Sequence, residues 1–149
     1  MFRFEKIGYQ DIQVSEDRIS LAKMLCEAKY NMPHTYLITD ISVKSLIEFI
    51  DDINSRNTNN DITMDDLFIK AAGKVCAELP DSNSQWNGTS IRSFKNANVS
   101  FVVSTGNGYV TPTVPQADSL TISKISQIRK NLVQKVKDDK LEANDTTVC

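Results

Sequence analysis

Apolar residues recur every three to four positions in four stretches of this chain, with β-branched runs between them. An extended opening over residues 2–14 offers Tyr9, Ile12 and Val14 for packing. Ser15 reads as the N-cap of a first helix, with Glu16 and Asp17 in a first turn where the helix dipole favours acid. This helix runs to about Tyr30. Ile19, Ala22, Cys26 and Lys29 lie near one stripe, beside Leu21, Leu25 and Ala28, and Asn31-Met32-Pro33 stops it. Residues 34–43 place Leu37, Thr39, Ile41 and Val43 on one face of an expected strand. A second helix over 44–56, capped by Ser42 or Ser45, turns Leu46, Ile47, Phe49, Ile50 and Ile53 inward. Residues 57–61 are a polar connector.

Thr63 and Asp66 have the spacing of a capping box. They open a third helix over 64–79 with Leu67, Ala71, Ala72, Val75, Cys76 and Leu79 as its core stripe, and Pro80 ends it. Residues 81–88 read as a loop holding Trp86, followed by a short strand over 89–94. The strongest strand signal is 98–114, where two β-branched runs flank Gly106-Asn107-Gly108. No charge falls in that hairpin, so it is expected inside the molecule. Asp118 and Ser119 open a fourth helix reaching about Asp139, with Ile122, Ile125, Ile128, Leu132 and Val136 facing inward. The polar residues 142–149 are expected to fray. No repeat or linker interrupts the pattern, so 149 residues read as a single domain of the α/β class, an α+β sandwich with a mixed β-sheet flanked by helices.

Charge narrows the function classes. With 17 basic and 19 acidic residues the net charge is −2, which gives no electrostatic case for nucleic acid or an anionic membrane. No apolar run has the length of a membrane span. The start has no apolar core of a secretory signal. The three cysteines, Cys26, Cys76 and Cys149, form no metal-ligand spacing, and a reducing compartment is the natural reading. Asn-x-Ser/Thr sequons fall at Asn87, Asn98 and Asn144.

Chemical motifs are few. There is no phosphate-binding glycine loop and no nucleophile elbow. Acid pairs such as Asp51-Asp52 and Asp138-Asp139 read as solvated helix faces. His34, the single histidine, has the pKa range for proton transfer, or is a structural residue bonded to backbone. Ser104 and Thr105 either bind a ligand at a strand end or serve the sheet.

Taken in order, several segments resemble one family. Val14-Ser15, Arg18, Ala22, Leu25, Lys29 and Met32-Pro33-His34 match an opening helix with a Pro-His exit. Asp66-Leu67-Phe68-Ile69-Lys70-Ala71 resembles an Asn-Asp-Phe-Ile-Ile-Lys-Ala helix. Pro80, Asn83-Ser84 and Trp86 resemble a Pro, Asn-Ser-Ser-Trp loop. Val99-Ser100, Val102-Val103-Ser104-Thr105, Gly108 and Thr111-Pro112 resemble a Val-Ser-Val-Ala-Val-Ser-Thr, Gly-Leu-Ile-Thr-Pro hairpin, and Lys140-Leu141 a Gly-Lys-Leu helix exit. The family is that of the dihydrolipoyl acyltransferase catalytic domains of 2-oxoacid dehydrogenase complexes, with the chloramphenicol-acetyltransferase fold. The resemblance covers 9–141. The Asn-Ser-x-Trp loop points to the pyruvate branch, including its non-catalytic relative, component X.

The resemblance implies the N-terminal part of that fold, with Arg18, Ser104 and Thr105 as vestigial coenzyme A or lipoyl-site residues. His34, Asn83, Trp86, Tyr109 and Thr111 are then structural or interface residues. Two family segments have no counterpart here, Gly-Gly-x-Phe-x-Ile-Ser-Asn and the terminal His-Arg-x-x-Asp-Gly that supplies the general base. Met24 stands where the family commonly has a basic residue, and Arg18 keeps the other basic position. A positioned base contributes roughly 100- to 10,000-fold. The expectation is therefore a non-catalytic, structural or interaction subunit of a large mitochondrial-matrix assembly, without a cofactor of its own. Its partners would be protein subunits, in a trimer or docked on a complete acyltransferase. The alternative is a piece of an active acetyltransferase using coenzyme A and the lipoyl group. In active relatives hairpin 98–114 walls the substrate channel, so another chain is expected to cover it.

Overall fold

The computed structural model describes residues 8–56, 61–106 and 108–146, the side chain of Asp17 excepted. The start of the extended opening, the connector at 57–60, Asn107 of the hairpin turn, and 147–149 with Cys149 lie outside the described residues. The chain divides into two compact units, residues 1–40 and 41–149.

The first unit carries helix α1, Glu16–Asn31. Ser15 holds the N-cap position in extended conformation, but its side chain makes no capping bond. Of the expected stripe, Leu21 and Ala28 are half-buried, and Ile19, Ala22, Leu25, Cys26 and Lys29 are exposed. No second helix or strand stands within residues 8–40 to receive that face. The strand expected over 34–43 does not form. A strand persists through ladder hydrogen bonds to a neighbour, and none of the described strands pairs with this segment.

The second unit is built around helices α2 (Lys44–Arg56), α3 (Met64–Glu78) and α4 (Ile122–Lys137). Among the described residues between α3 and α4 run six short strands, β1 (Ser84–Trp86), β2 (Ile91–Ser93), β3 (Val99–Ser100), β4 (Val103–Thr105), β5 (Gly108–Val110) and β6 (Thr113–Val114). They form three antiparallel pairs, β1–β2, β3–β6 and β4–β5. This is the α/β class expected from the pattern. The Trp86 segment is strand rather than loop, because Trp86 pairs with Ile91 and Ser84 with Ser93.

The β3–β6 and β4–β5 pairs are one hairpin in one register. Val99 opposes Val114, Ser100 opposes Thr113, Val103 opposes Val110, and Thr105 opposes Gly108. Between the pairs, the Phe101 amide donates to the Pro112 carbonyl. Pro112 has no N–H to return the bond, so the ladder is interrupted there. Only the base of this hairpin is interior. Pro112, Thr113 and Val114 are buried, whereas Val102 is 67% exposed. An uncharged sequence kept the hairpin off any ion pair but did not bury its tip.

The core gathers Ile69 of α3, Val114 and Ala117, and Ile125 and Leu132 of α4, with Val99, Phe101, Leu120 and Ile128 packed against it. The inward face expected of α4 holds at Ile125 and Leu132. The helix starts later than expected, at the N-cap Thr121, whose hydroxyl accepts from the Lys124 amide. Asp118 is engaged elsewhere, its carboxylate accepting from the Ala97 amide at 2.9 Å. The stripe expected on α3 lies largely off the buried face. Asp66, Ile69 and Gly73 are buried, Leu67 and Cys76 of the expected stripe are half-buried, and Ala71, Ala72, Val75 and Leu79 are exposed. On α2, Leu46, Ile50 and Ile53 are half-buried, but Ile47 and Phe49 are exposed.

Two interactions turn α3 onto this face. Asp66, with no exposed surface, accepts from the Thr63 amide at 2.8 Å as half of the capping box. It also binds Arg129 of α4 through both carboxylate oxygens, at 2.6 and 3.2 Å. Burial opposes its ionisation. The bonds from Arg129 and Thr63 outweigh that and hold its carboxyl below the usual carboxylate range. At Gly73 an added Cβ would stand 2.7 Å from the backbone of Ala117 and Asp118, so the helix and this loop touch only because the residue is glycine.

The segment after α4 folds back on the helix and forms a short 3-10 turn at Ala143–Asp145. Asp139 adopts φ +54°, Lys140 donates to the Lys135 carbonyl, and the Lys135 ammonium binds Asp145 at 2.8 Å.

Removing one partner of a buried ion pair costs about 3–5 kcal/mol. Urea unfolding of Arg129→Met is expected to register a loss of that order. The Asp66 contribution is fully present above the unfolded carboxylate value near pH ~4 and is lost as pH falls through the lower folded value. Asp66→Asn should therefore flatten the acid limb of stability against pH. Asp139→Gly relieves a left-handed residue and should stabilise by about 1 kcal/mol in the same assay.

Candidate functional site

The pleat of the hairpin sorts the residues singled out above. Opposed residues in an antiparallel pair share a face, and successive residues alternate. Ser104 opposes Tyr109, and in the same register Val102 stands opposite Thr111. These four are exposed. Val103, Thr105 and Val110 lie on the other face and are half-buried. Ser104 and Thr105, adjacent in sequence and paired as candidates, therefore point to opposite sides.

A cleft of about 300 Å³ opens where the hairpin tip meets the end of α4, lined by Val103, Ser104, Thr105, Gly106, Val136 and Lys137. Lys137 has no carboxylate partner among the described residues, so its ammonium is available to an anion at the rim. The Thr105 hydroxyl and the backbone turn beside it can donate and accept hydrogen bonds, and the valines supply an apolar wall. Sequence reasoning did not single out Lys137. Its signal was a cation in the last turn of a helix, a position common enough for dipole complementarity to absorb it.

A second cleft of about 260 Å³ is lined by Ser82, Asn83, Ser84, Gln85, Phe94, Asn96 and Asn98. Its lining carries no charge. Asn83 acts there as a brace. Its amide donates to the carbonyls of Phe94 and Asn96, both at 3.1 Å, and its own carbonyl accepts from the Phe94 amide. Trp86 is 68% exposed on the β1–β2 pair, beside Ile91.

The remaining candidates lie in the 1–40 unit. Arg18 is exposed on α1. The His34 ring donates from Nδ1 to the Met32 carbonyl at 2.6 Å and stacks on Tyr36, over which Lys29 also sits at 4.6 Å. The backbone-bonded reading of His34 holds, though not at a strand start. Among the described residues no group of three or more His, Cys, Asp or Glu is placed to hold a metal ion, and no helix is long and apolar enough to cross a membrane.

Comparison with known proteins spans nearly the whole chain. The family model for 2-oxoacid dehydrogenases acyltransferase (catalytic domain) matches residues 7–148. A dihydrolipoyllysine-residue acetyltransferase component of pyruvate dehydrogenase complex from Rickettsia prowazekii is 34% identical over 136 residues, covering 89% of this chain and 33% of that protein. The mitochondrial component 3 of the same description from Arabidopsis thaliana is 34% identical over 142 residues, covering 93% of this chain and 26% of that protein. The chain thus spans a third or less of these curated relatives. The crystal structure of a probable dihydrolipoamide acetyltransferase from Listeria monocytogenes superposes with a TM-score of 0.84 at 24% identity, over 94% of this chain and 61% of that one. That likeness establishes the fold.

Asn83→Ala removes two side-chain bonds worth about 0.5–1.5 kcal/mol each. The β1–β2 pair should exchange its amides faster in that variant, while the α4 amides keep their protection. Equal exchange in both would place the brace elsewhere.

Proposed function

This chain belongs to the 2-oxoacid dehydrogenase acyltransferase family, and from that premise we propose that it supplies the N-terminal part of a dihydrolipoyl acetyltransferase catalytic domain of the pyruvate branch. The reaction class is acyl transfer between a lipoyl thiol and coenzyme A. The observation that carries the reading is the family match over 7–148, joined by relatives described as acetyltransferase components. Those relatives favour the catalytic reading over the interaction-subunit reading taken from the sequence. Residues 1–149 act as one domain in this proposal.

The roles follow from position. The hairpin tip walls a substrate channel, with the Ser104 face open and the Thr105 face turned toward Val136 and Lys137. Arg18 keeps a basic position suited to an anionic coenzyme. His34 commits Nδ1 to Met32 and is no match to the family's general base. The hairpin residues are therefore assigned to binding and orienting, not to proton transfer. The base that deprotonates the thiol, and the donor that stabilises the tetrahedral intermediate, come from segments outside these 149 residues or from a neighbouring subunit. The partners are protein subunits of a 2-oxoacid dehydrogenase core. The mitochondrial matrix is the setting suggested by the plant relative.

A second reading keeps the fold and assembly but not the chemistry, as in component X. Its supporting observation is that the one histidine of the chain is tied to backbone.

The two readings part in an assay of acetyl transfer from acetyl-CoA to dihydrolipoamide by the protein isolated at native size with its complex. The catalytic reading predicts turnover that cofractionates with this chain and is absent from the 149-residue chain alone. In that complex Ser104→Ala removes one exposed hydroxyl, expected to raise KM about fivefold for a loss near 1 kcal/mol. Absence of turnover from the intact complex supports the second reading. Full turnover by the isolated chain contradicts both.

A further inference from the structure

The β1–β2 pair is closed by Asn87-Gly88-Thr89-Ser90, all four exposed. The Asn87 amide donates to the Ser90 carbonyl at 2.8 Å, and the Thr89 amide donates to the Asn87 carbonyl at 2.9 Å. Two groups in this turn are left over. The Gly88 N–H and the Asn87 carboxamide have no hydrogen-bond partner among the described residues. Gly88 sits at φ +77°, and a Cβ built on it would meet nothing within 4 Å. Three other asparagines are held. Asn54 exchanges two bonds with Ile62, Asn83 donates to two carbonyls, and the Asn98 side chain accepts from the Gln116 amide.

An unpaired backbone nitrogen that follows an unpaired asparagine amide, with no side chain between them and open solvent around both, is the arrangement for intramolecular attack. From this geometry we infer that Asn87-Gly88 is a spontaneous modification site, converting to aspartate and isoaspartate. The Gly88 nitrogen loses its proton to solvent base and bonds to Asn87 Cγ. The Cγ–Nδ2 bond breaks, and Nδ2 takes a proton from water and leaves as ammonia. The five-membered succinimide that remains is opened by water. Attack at Cγ restores the ordinary backbone with an aspartate side chain. Attack at the main-chain carbonyl reroutes the backbone through Cγ and gives isoaspartate. Either product places a new carboxylate next to the exposed Trp86–Ile91 pair, and isoaspartate lengthens a turn that the Asn87–Ser90 bond holds closed. The conversion therefore loosens the strand pair that carries the sole tryptophan.

The chain contains a second Asn-Gly pair at 107–108, and trypsin separates the two into peptides 75–92 and 96–124. The folded full chain is incubated at mildly alkaline pH and sampled over time. Peptide 75–92 should gain the mass of amide-to-acid exchange, with fragmentation placing it at Asn87 rather than Asn83. Isoaspartate should be found there by methyltransferase labelling. Asn87→Gln should lose the conversion, because attack would have to close a six-membered ring. Trp86 emission should shift in step with conversion in the parent chain and stay constant in Asn87→Gln. Conversion confined to 96–124, conversion at Asn83, or an unchanged 75–92 peptide would overturn the assignment. Unchanged Trp86 emission at full conversion would overturn the loosening.

Discussion

One carboxylate decides how the 41–149 unit is assembled. Asp66 has no exposed surface, and it answers to two masters, the first turn of its own helix and Arg129 on α4. The capping bond fixes where α3 starts, and the ion pair fixes which side of α3 meets α4. Ile69 and Gly73 then follow on the same side, one filling the core and the other allowing the helix against Ala117. Lys70 reinforces the placement by donating to the carbonyls of Asp118 and Leu120, both at 2.7 Å, and of Ala117 at 3.3 Å. Those carbonyls lie between the hairpin and α4, so one face of α3 organises the turn that positions both. A buried pair is rarely the most stabilising solution to a core, but it specifies orientation, which an apolar stripe alone leaves open.

The hairpin inherits its position from that arrangement. Its base is clamped by Val114 and Ala117 in the core, and its tip projects past the Pro112 interruption. The pleat then separates an open face, with Ser104 and Tyr109, from a face turned toward the end of α4. In the proposed acyltransferase role this division matters more than the identity of either hydroxyl. One face is available to a channel or a neighbouring chain, and the other is already partly occupied by its own subunit.

Much of this was legible in the residues. Helices with clean three- and four-residue recurrence were placed within a few positions, since α2 spans the expected 44–56 and α4 turns Ile125 and Leu132 inward. The capping box at Thr63 and Asp66 and the existence of the hairpin were read from local chemistry, which needs no knowledge of distant partners, whereas its register, with Gly108 paired to Thr105, came from the structure. What failed depended on tertiary contacts. The face of α3 was partly misread because Val75 and Leu79 outrank Asp66 and Gly73 on any hydrophobic scale, whereas the ion pair to residue 129 is invisible to periodicity. The mid-helix Gly73 was the available signal, because a glycine tolerated there implies close backbone approach. Residues 34–43 looked like a strand by composition, but composition cannot supply the partner. Lys137 was missed because nothing in sequence places it beside Ser104.

The central claim is that the hairpin tip is a wall whose other side is supplied from outside these residues. Hydrogen exchange of residues 99–114, compared between the free chain and the chain in its native complex, tests it directly. The account predicts that the β3–β6 amides are protected in both states, because that end is buried by its own core. It predicts that the β4–β5 amides exchange quickly in the free chain and slow markedly in the complex. Equal exchange of β4–β5 in the two states would contradict it.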